Sequence, residues 1–228
     1  MNKLLTNRQF WLENRTVEVK GHKLCRFSVE IDGPRPESYK EDYDDASRME
    51  HVAQKQQFYI NTKSGAESGW DFSSRWYIVG DEGHNQGNCD HLKQWSILII
   101  IQIICIGDMG DINTRNIVPV DLNSFIYMNH VLLAKMFQML GNEVEAEEYN
   151  AKAAVWSQAI DQVLWNPELG IWTDWDLLNQ KPRNYFYPSN LAPLWAGCYN
   201  TSFQVSINPF ISSISCRDFF YNFLQVWR

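Results

Sequence analysis

Asp71 is the residue best placed to move a proton in this chain, because it sits between Trp70 and Phe72 in the run GAESGWDFSSRW, Gly65 to Trp76. Apolar neighbours disfavour a carboxylate and raise its pKa. An acid framed in this way can hold a proton near neutrality and pass it to a leaving oxygen. Glu67 and Arg75 lie four residues to either side, one helical turn away. A buried turn in which Asp71 accepts hydrogen bonds from Ser73, Ser74 or Arg75 accounts for the same tripeptide, and the tripeptide alone does not separate the two readings.

A second group of chemically useful side chains lies in GPRPESYKED, Gly33 to Asp42. Pro34 and Pro36 fix the backbone around Arg35, and Glu37 follows. A guanidinium offers a fork of donors and an ionised carboxylate only acceptors, so the two together can grip a polyhydroxylated ligand. An Arg35 to Glu37 surface pair entering a helix is the alternative, and such pairs contribute little energy.

Other chemistries find less support. The five cysteines, Cys25, Cys89, Cys105, Cys198 and Cys216, are odd in number and show no CxxC spacing, and the five histidines are scattered. Neither a metal site, a disulfide framework nor a Ser-His-Asp arrangement follows, and no cofactor is expected. A net charge of −7 argues against nucleic acid, whose phosphates need a basic face. With 45% hydrophobic and 14% aromatic residues there is ample material for a core, and some of the ten tryptophans are expected to line a sugar-sized cleft. The run Ile97 to Ile106 is apolar apart from Gln102. It is short of the roughly 20 residues that span a bilayer, so membrane association is not indicated.

The elements that must position these groups read as mainly helical. Leu122, Phe125, Ile126, Leu132, Leu133, Met136, Phe137 and Leu140 recur at helical spacing on one face, and Gly141 ends that helix. Asn142 and Glu145 form a capping-box pattern for the next. There Tyr149, Ala153, Trp156, Ile160, Val163 and Leu164 repeat the spacing until Asn166 and Pro167 stop it. Two such helices joined by a Gly-Asn turn make an antiparallel αα-hairpin, the repeating unit of an (α/α) toroid. Between Pro167 and Tyr187, alternating aromatics and a turn-like Asn179 to Pro182 predict a short β-hairpin.

GPRPESY, ESGWDFSSRW, IVPVDLN at Ile117 to Asn123 and RNYFYPSNLAPLW at Arg183 to Trp195, in that order, resemble the trehalases, an inverting glycoside hydrolase family, and most of all the animal enzymes. FWLENR at Phe10 to Arg15 is also similar. The resemblance implies an all-α fold, part of an (α/α)₆ barrel, and hydrolysis of α,α-trehalose to two glucose molecules without metal or cofactor. It casts Asp71 as the general acid, Arg35, Pro36 and Glu37 as the substrate-binding triplet, and Gly69 as the point where a sugar approaches the backbone. An inverting enzyme also needs a second carboxylate, about 6.5 to 9.5 Å from the acid, to activate water. In the family that base follows a QWDxPxGWAP signature. This signature and the earlier PGGRFxExYxWDxY are absent here, so the chain is expected to be an internal slice of a trehalase. Asp174 and Asp176 are expected to be exposed hairpin acids rather than that base.

Residues 1–198 are accordingly expected to be part of the catalytic domain, with 93–112 an atypical insert and 199–228 an atypical tail. Met1 to Arg15 carries charges throughout, so no signal peptide is expected in this chain. Animal trehalases are secreted or on the cell surface, and the sequons at Asn14 and Asn200 fit that location. The alternative to an active enzyme is a catalytically inactive, truncated trehalase-like protein that binds sugar.

Overall fold

The computed structural model describes residues 2–70, 73–77, 109–184 and 186–199. Helix α1, Asn2–Asn14, leads into a hairpin of β1, Thr16–Val19, and β2, His22–Cys25. Lys20 and Gly21 both take positive φ, 49° and 77°, the conformation that a two-residue hairpin turn requires. A 3₁₀ turn, Pro36–Ser38, then opens onto α2, Tyr39–Ser47, and α3, Val52–Ser68.

The long αα-hairpin expected from periodicity is present, as α4, Val120–Met139, and α5, Glu143–Val163. Gly141 turns the chain at φ 73°, and Asn142 Oδ1 accepts from the Glu145 amide at 3.3 Å. All six residues assigned to the inner face of α5 are buried. In α4 the assignment needs correcting. Leu122, Ile126, Leu133 and Phe137 are buried, but Phe125, Leu132 and Leu140 are exposed, and Asn123, Ser124 and His130 take inner positions. Hydrophobicity alone missed polar residues that bond within the fold: Asn123 Nδ2 donates to the Cys25 and Pro119 carbonyls, and Ser124 Oγ to the Val120 carbonyl.

The expected short hairpin is also present, and it belongs to a larger unit. Strands β4, Trp165–Asn166, and β5, Ile171–Trp172, pair with each other. Strand β6, Trp175–Asp176, pairs on one side with β7, Lys181–Pro182, and on the other with β3, Ile117–Val118. This sheet puts the residues leading into α4 beside the 174–176 segment. A 3₁₀ turn, Pro188–Leu191, and a short helix α6, Ala192–Ala196, follow.

One core joins these pieces. Leu24, Phe27, Phe58, Trp76, Ile112, Ile117, Trp156 and Trp175 all belong to it, so β2, α3, α5 and the small sheet pack on common ground. The backbone is clamped where it returns to this core: Tyr77 bridges Ile112, and the Asn113 amide donates to the Trp76 carbonyl at 2.7 Å. The fold is thus mostly helical with small β-hairpins. The run Ile97 to Ile106 and the tail 200–228 lie outside the described residues. Among the described residues, no helix is long and apolar enough to cross a membrane.

Candidate active site

The Arg35 guanidinium is set by its own helix. Arg35, between two prolines, is extended at φ −68° and ψ 139°, as a residue before proline must be. The chain then winds into α2 and brings Asp42 back beneath it. The Arg35 amide, Nε and Nη2 donate to Asp42 at 2.9, 2.9 and 2.8 Å. Both residues are buried, whereas Pro36 and Glu37 stand exposed in the 3₁₀ turn. Lys63 of α3 fastens the preceding loop by donating to the carbonyls of Ile31 at 3.0 Å, Asp32 at 3.2 Å and Gly33. The RPE triplet therefore sits beside the last turns of α3.

Gly69 is exposed at the end of α3 and has φ 70°, so a left-handed residue terminates the helix. The helix stops here, short of Arg75. Glu67 and Arg75 therefore do not share one helix. Glu67 is held by Arg15, whose Nη2 donates at 2.6 Å and whose Nε donates at 3.0 Å, and by the Ser28 amide at 3.3 Å. Asp71 and Phe72 themselves lie outside the described residues. Their neighbours on both sides are tied together. The Ser73 amide donates to the Trp70 carbonyl at 3.1 Å, Trp76 Nε1 donates to the same oxygen at 3.0 Å, and Ser68 Oγ accepts from the Trp70 amide at 3.0 Å.

Arg75 follows in the 3₁₀ turn Ser74–Trp76, fully buried, and donates to Asp121 and to Asp174. Burial opposes its charge, but the two carboxylates reverse that effect and raise its pKa above the usual arginine value. Asp174 and Asp176 are 3% and 6% exposed, which corrects the expectation of exposed hairpin acids. The sheet carries both inward: Asp174 meets Arg75, and Asp176 accepts from the Leu178 and Asn179 amides. Tyr187 Oη lies 3.3 Å from Ser74 Oγ, and burial raises the Tyr187 pKa.

Three of the four sequence blocks thus meet around Arg75 and Ser74, while the fourth is held to α3 through Lys63. Asp42, Asp121 and Asp174 escaped sequence reasoning as partners. The available signal for Arg35 was Asp42 itself, seven residues on in the same run, whereas no acid within a few residues of Arg75 pointed to Asp121 or Asp174. Among the described residues, no group of three or more His, Cys, Asp or Glu side chains is arranged to hold a metal.

The trehalase family model matches residues 1–101 and 106–213. A trehalase of Apis mellifera is 45% identical over 195 residues, which cover 84% of this chain and 28% of that protein. The Homo sapiens trehalase is 37% identical over 84% of this chain and 29% of its own length. A periplasmic trehalase of Citrobacter koseri is 33% identical over 77% and 26%. Neutral trehalase Nth1 from Saccharomyces cerevisiae shares the fold, with a TM-score of 0.52 at 15% identity, covering 90% of this chain and 36% of that one. The chain spans less than a third of the length of these curated relatives. It belongs to the trehalase family.

Proposed function

We propose that the protein containing this chain hydrolyses α,α-trehalose to two glucose molecules by inversion. Asp71 is the general acid. Arg35 and Glu37 bind sugar hydroxyls, Pro36 holds the two in register, and Gly69 lets a sugar ring approach the backbone. The second carboxylate, which activates water, comes from sequence outside these 228 residues. Residues 1–198 contribute to an (α/α)₆ barrel, with 93–112 an insert and 199–228 a divergent tail, and the protein is secreted or displayed at the cell surface.

The observation that carries this reading is the convergence of the motif blocks on one end of α3. Ser74 and Arg75 reach Tyr187 and Asp121, and Lys63 holds the loop before Arg35. Trp70 and Ser73, the described residues on either side of 71–72, are bonded to each other and braced by Trp76, and the Arg35 guanidinium is held by Asp42, support of the kind that acid catalysis uses as preorganisation.

The test is product stereochemistry. Inversion at one of the two anomeric carbons must release one α-glucose and one β-glucose per trehalose. Proton NMR in the first minutes should show both anomers in equal amounts, and two α-glucose molecules would refute inversion. The alternative reading is an inactive trehalase-like sugar-binding protein. It predicts trehalose binding with no glucose released.

A further inference from the structure

The buried cluster around Arg75 holds two carboxylates and one guanidinium. Arg75 Nε and Nη2 donate to Asp174 at 2.6 and 2.8 Å, and Nη1 and Nη2 donate to Asp121 at 2.9 and 2.8 Å. The side chains of Arg75, Asp121 and Asp174 are 0%, 6% and 3% exposed. With both acids ionised, one negative charge is left over. An unneutralised buried charge is an expensive way to fill space. The start of α4 offsets part of that cost, since Asp174 accepts from the Val120 amide and Asp121 from the Leu122 amide. What the arrangement supplies is geometry: it ties the turn after Trp70 to the N-terminus of α4 and to the segment entering β6.

That turn brackets position 71. Arg75 lies two residues beyond Ser73, whose amide is bonded to the Trp70 carbonyl, and one residue before Trp76, whose indole is bonded to the same oxygen. The guanidinium also lies over both tryptophan rings, 5.6 Å from the Trp70 centroid and 4.7 Å from that of Trp76. Four of its five N–H donors are committed to carboxylates. A side chain so buried and so occupied has little left to offer a sugar.

We propose that Arg75 is a positioning residue for trehalose hydrolysis: by joining Asp121 and Asp174 it fixes Trp70 and Ser73, the described residues on either side of Asp71 and Phe72, without touching the substrate. This rests on the reading of Asp71 as proton donor. Holding a donor in line with the leaving oxygen lowers the barrier to the chemical step and leaves ground-state binding nearly unchanged.

The experiment uses the full-length enzyme, with Arg75→Lys, Asp174→Asn and the double variant. Arg75→Lys keeps the charge but cannot span two carboxylates. Asp174→Asn keeps the shape and gives a second route if the lysine variant folds poorly. For each folded single variant the expected result is a kcat at least tenfold lower, with KM for trehalose within threefold of wild type. The double variant should lose little more than the worse single variant, because both act through one contact.

A KM raised tenfold at unchanged kcat would overturn the proposal by making Arg75 a binding group. A lowered melting temperature with unchanged kcat at 25 °C would overturn it by making the cluster only structural. If the wild type releases no glucose, the proposed function fails, and amide hydrogen exchange decides this inference separately. Peptides over 68–77 should exchange at least tenfold faster in Arg75→Lys while α4 and α5 keep wild-type rates. Unchanged exchange over 68–77 would reject it.

Discussion

Asp42 and Arg35, seven residues apart, are joined through three donors of the arginine: its own backbone amide, Nε and Nη2. The guanidinium is therefore clasped along one edge by the helix that its own loop initiates. The RPE triplet gains its rigidity from a residue outside the triplet.

Asp42→Asn should therefore harm catalysis without removing any proposed substrate contact. It leaves Arg35 buried beside a neutral amide. Breaking a buried pair from one side costs about 3 to 5 kcal/mol, and the amide's remaining hydrogen bonding should hold the loss near the lower figure. Misorientation of Arg35 should lower kcat/KM by about 10- to 100-fold. Steady-state kinetics together with chemical denaturation would check both, and wild-type kcat/KM would show that Arg35 needs no such support.

Asp71→Asn removes the proposed proton donor while keeping the shape. Turnover should fall by about two to four orders of magnitude, the usual contribution of acid catalysis, while calorimetry still detects trehalose binding. Retained turnover would reject Asp71 as the acid.

Gly69→Ala separates two roles of one residue. A Cβ at Gly69 meets nothing within 4 Å, yet φ is 70°, so the expected stability loss is only about 1 to 2 kcal/mol. If kcat/KM falls far beyond what that loss explains, a sugar does pass close to this backbone. If activity is unchanged, the glycine serves only to end α3.

His130 should make the protein acid-sensitive. It is 1% exposed on α4, against Tyr149 and Trp156 of α5, and neither ring nitrogen has a hydrogen-bond partner among the described residues. Burial, then Arg8 of α1 and Lys152 of α5, lower its pKa to about 4. The unfolded chain, near the ordinary histidine value of about 6.5, binds the proton first on acidification. Stability is therefore fully present above about pH 6.5 and is lost as pH falls toward 4, by on the order of 3 kcal/mol. His130→Phe should flatten this slope when melting temperature is followed from pH 7.5 to 4. An unchanged slope would assign the acid sensitivity to other groups.

The helix hairpin was legible in the sequence because its signals are local. Gly141 and Asn142 punctuate it, and the inner face of α5 is a plain run of apolar residues. The inner face of α4 was harder to read because Asn123, Ser124 and His130 occupy it, and their partners or packing depend on other elements. The β1–β2 hairpin was overlooked although Lys20-Gly21 is a turn signal between alternating residues. At the site, residue types pointed to Arg35 and Asp71, but their supports were hidden. The contact between Arg75 and Asp174 spans 99 positions, and no periodicity reports a pairing at that separation. Asp174 therefore read as a surface acid.

The clamp between Trp76–Tyr77 and Ile112–Asn113 bears on how this gene can change. The backbone bonds join residues 76–77 directly to 112–113, so the Arg75 cluster on one side and β3 on the other are held to each other by contacts of their own. Between two fixed points the entropy of chain closure grows only logarithmically, by about 0.6 kcal/mol per doubling of length. On that principle, residues gained or lost between these anchors would cost little, and the motif blocks on either side would keep their geometry.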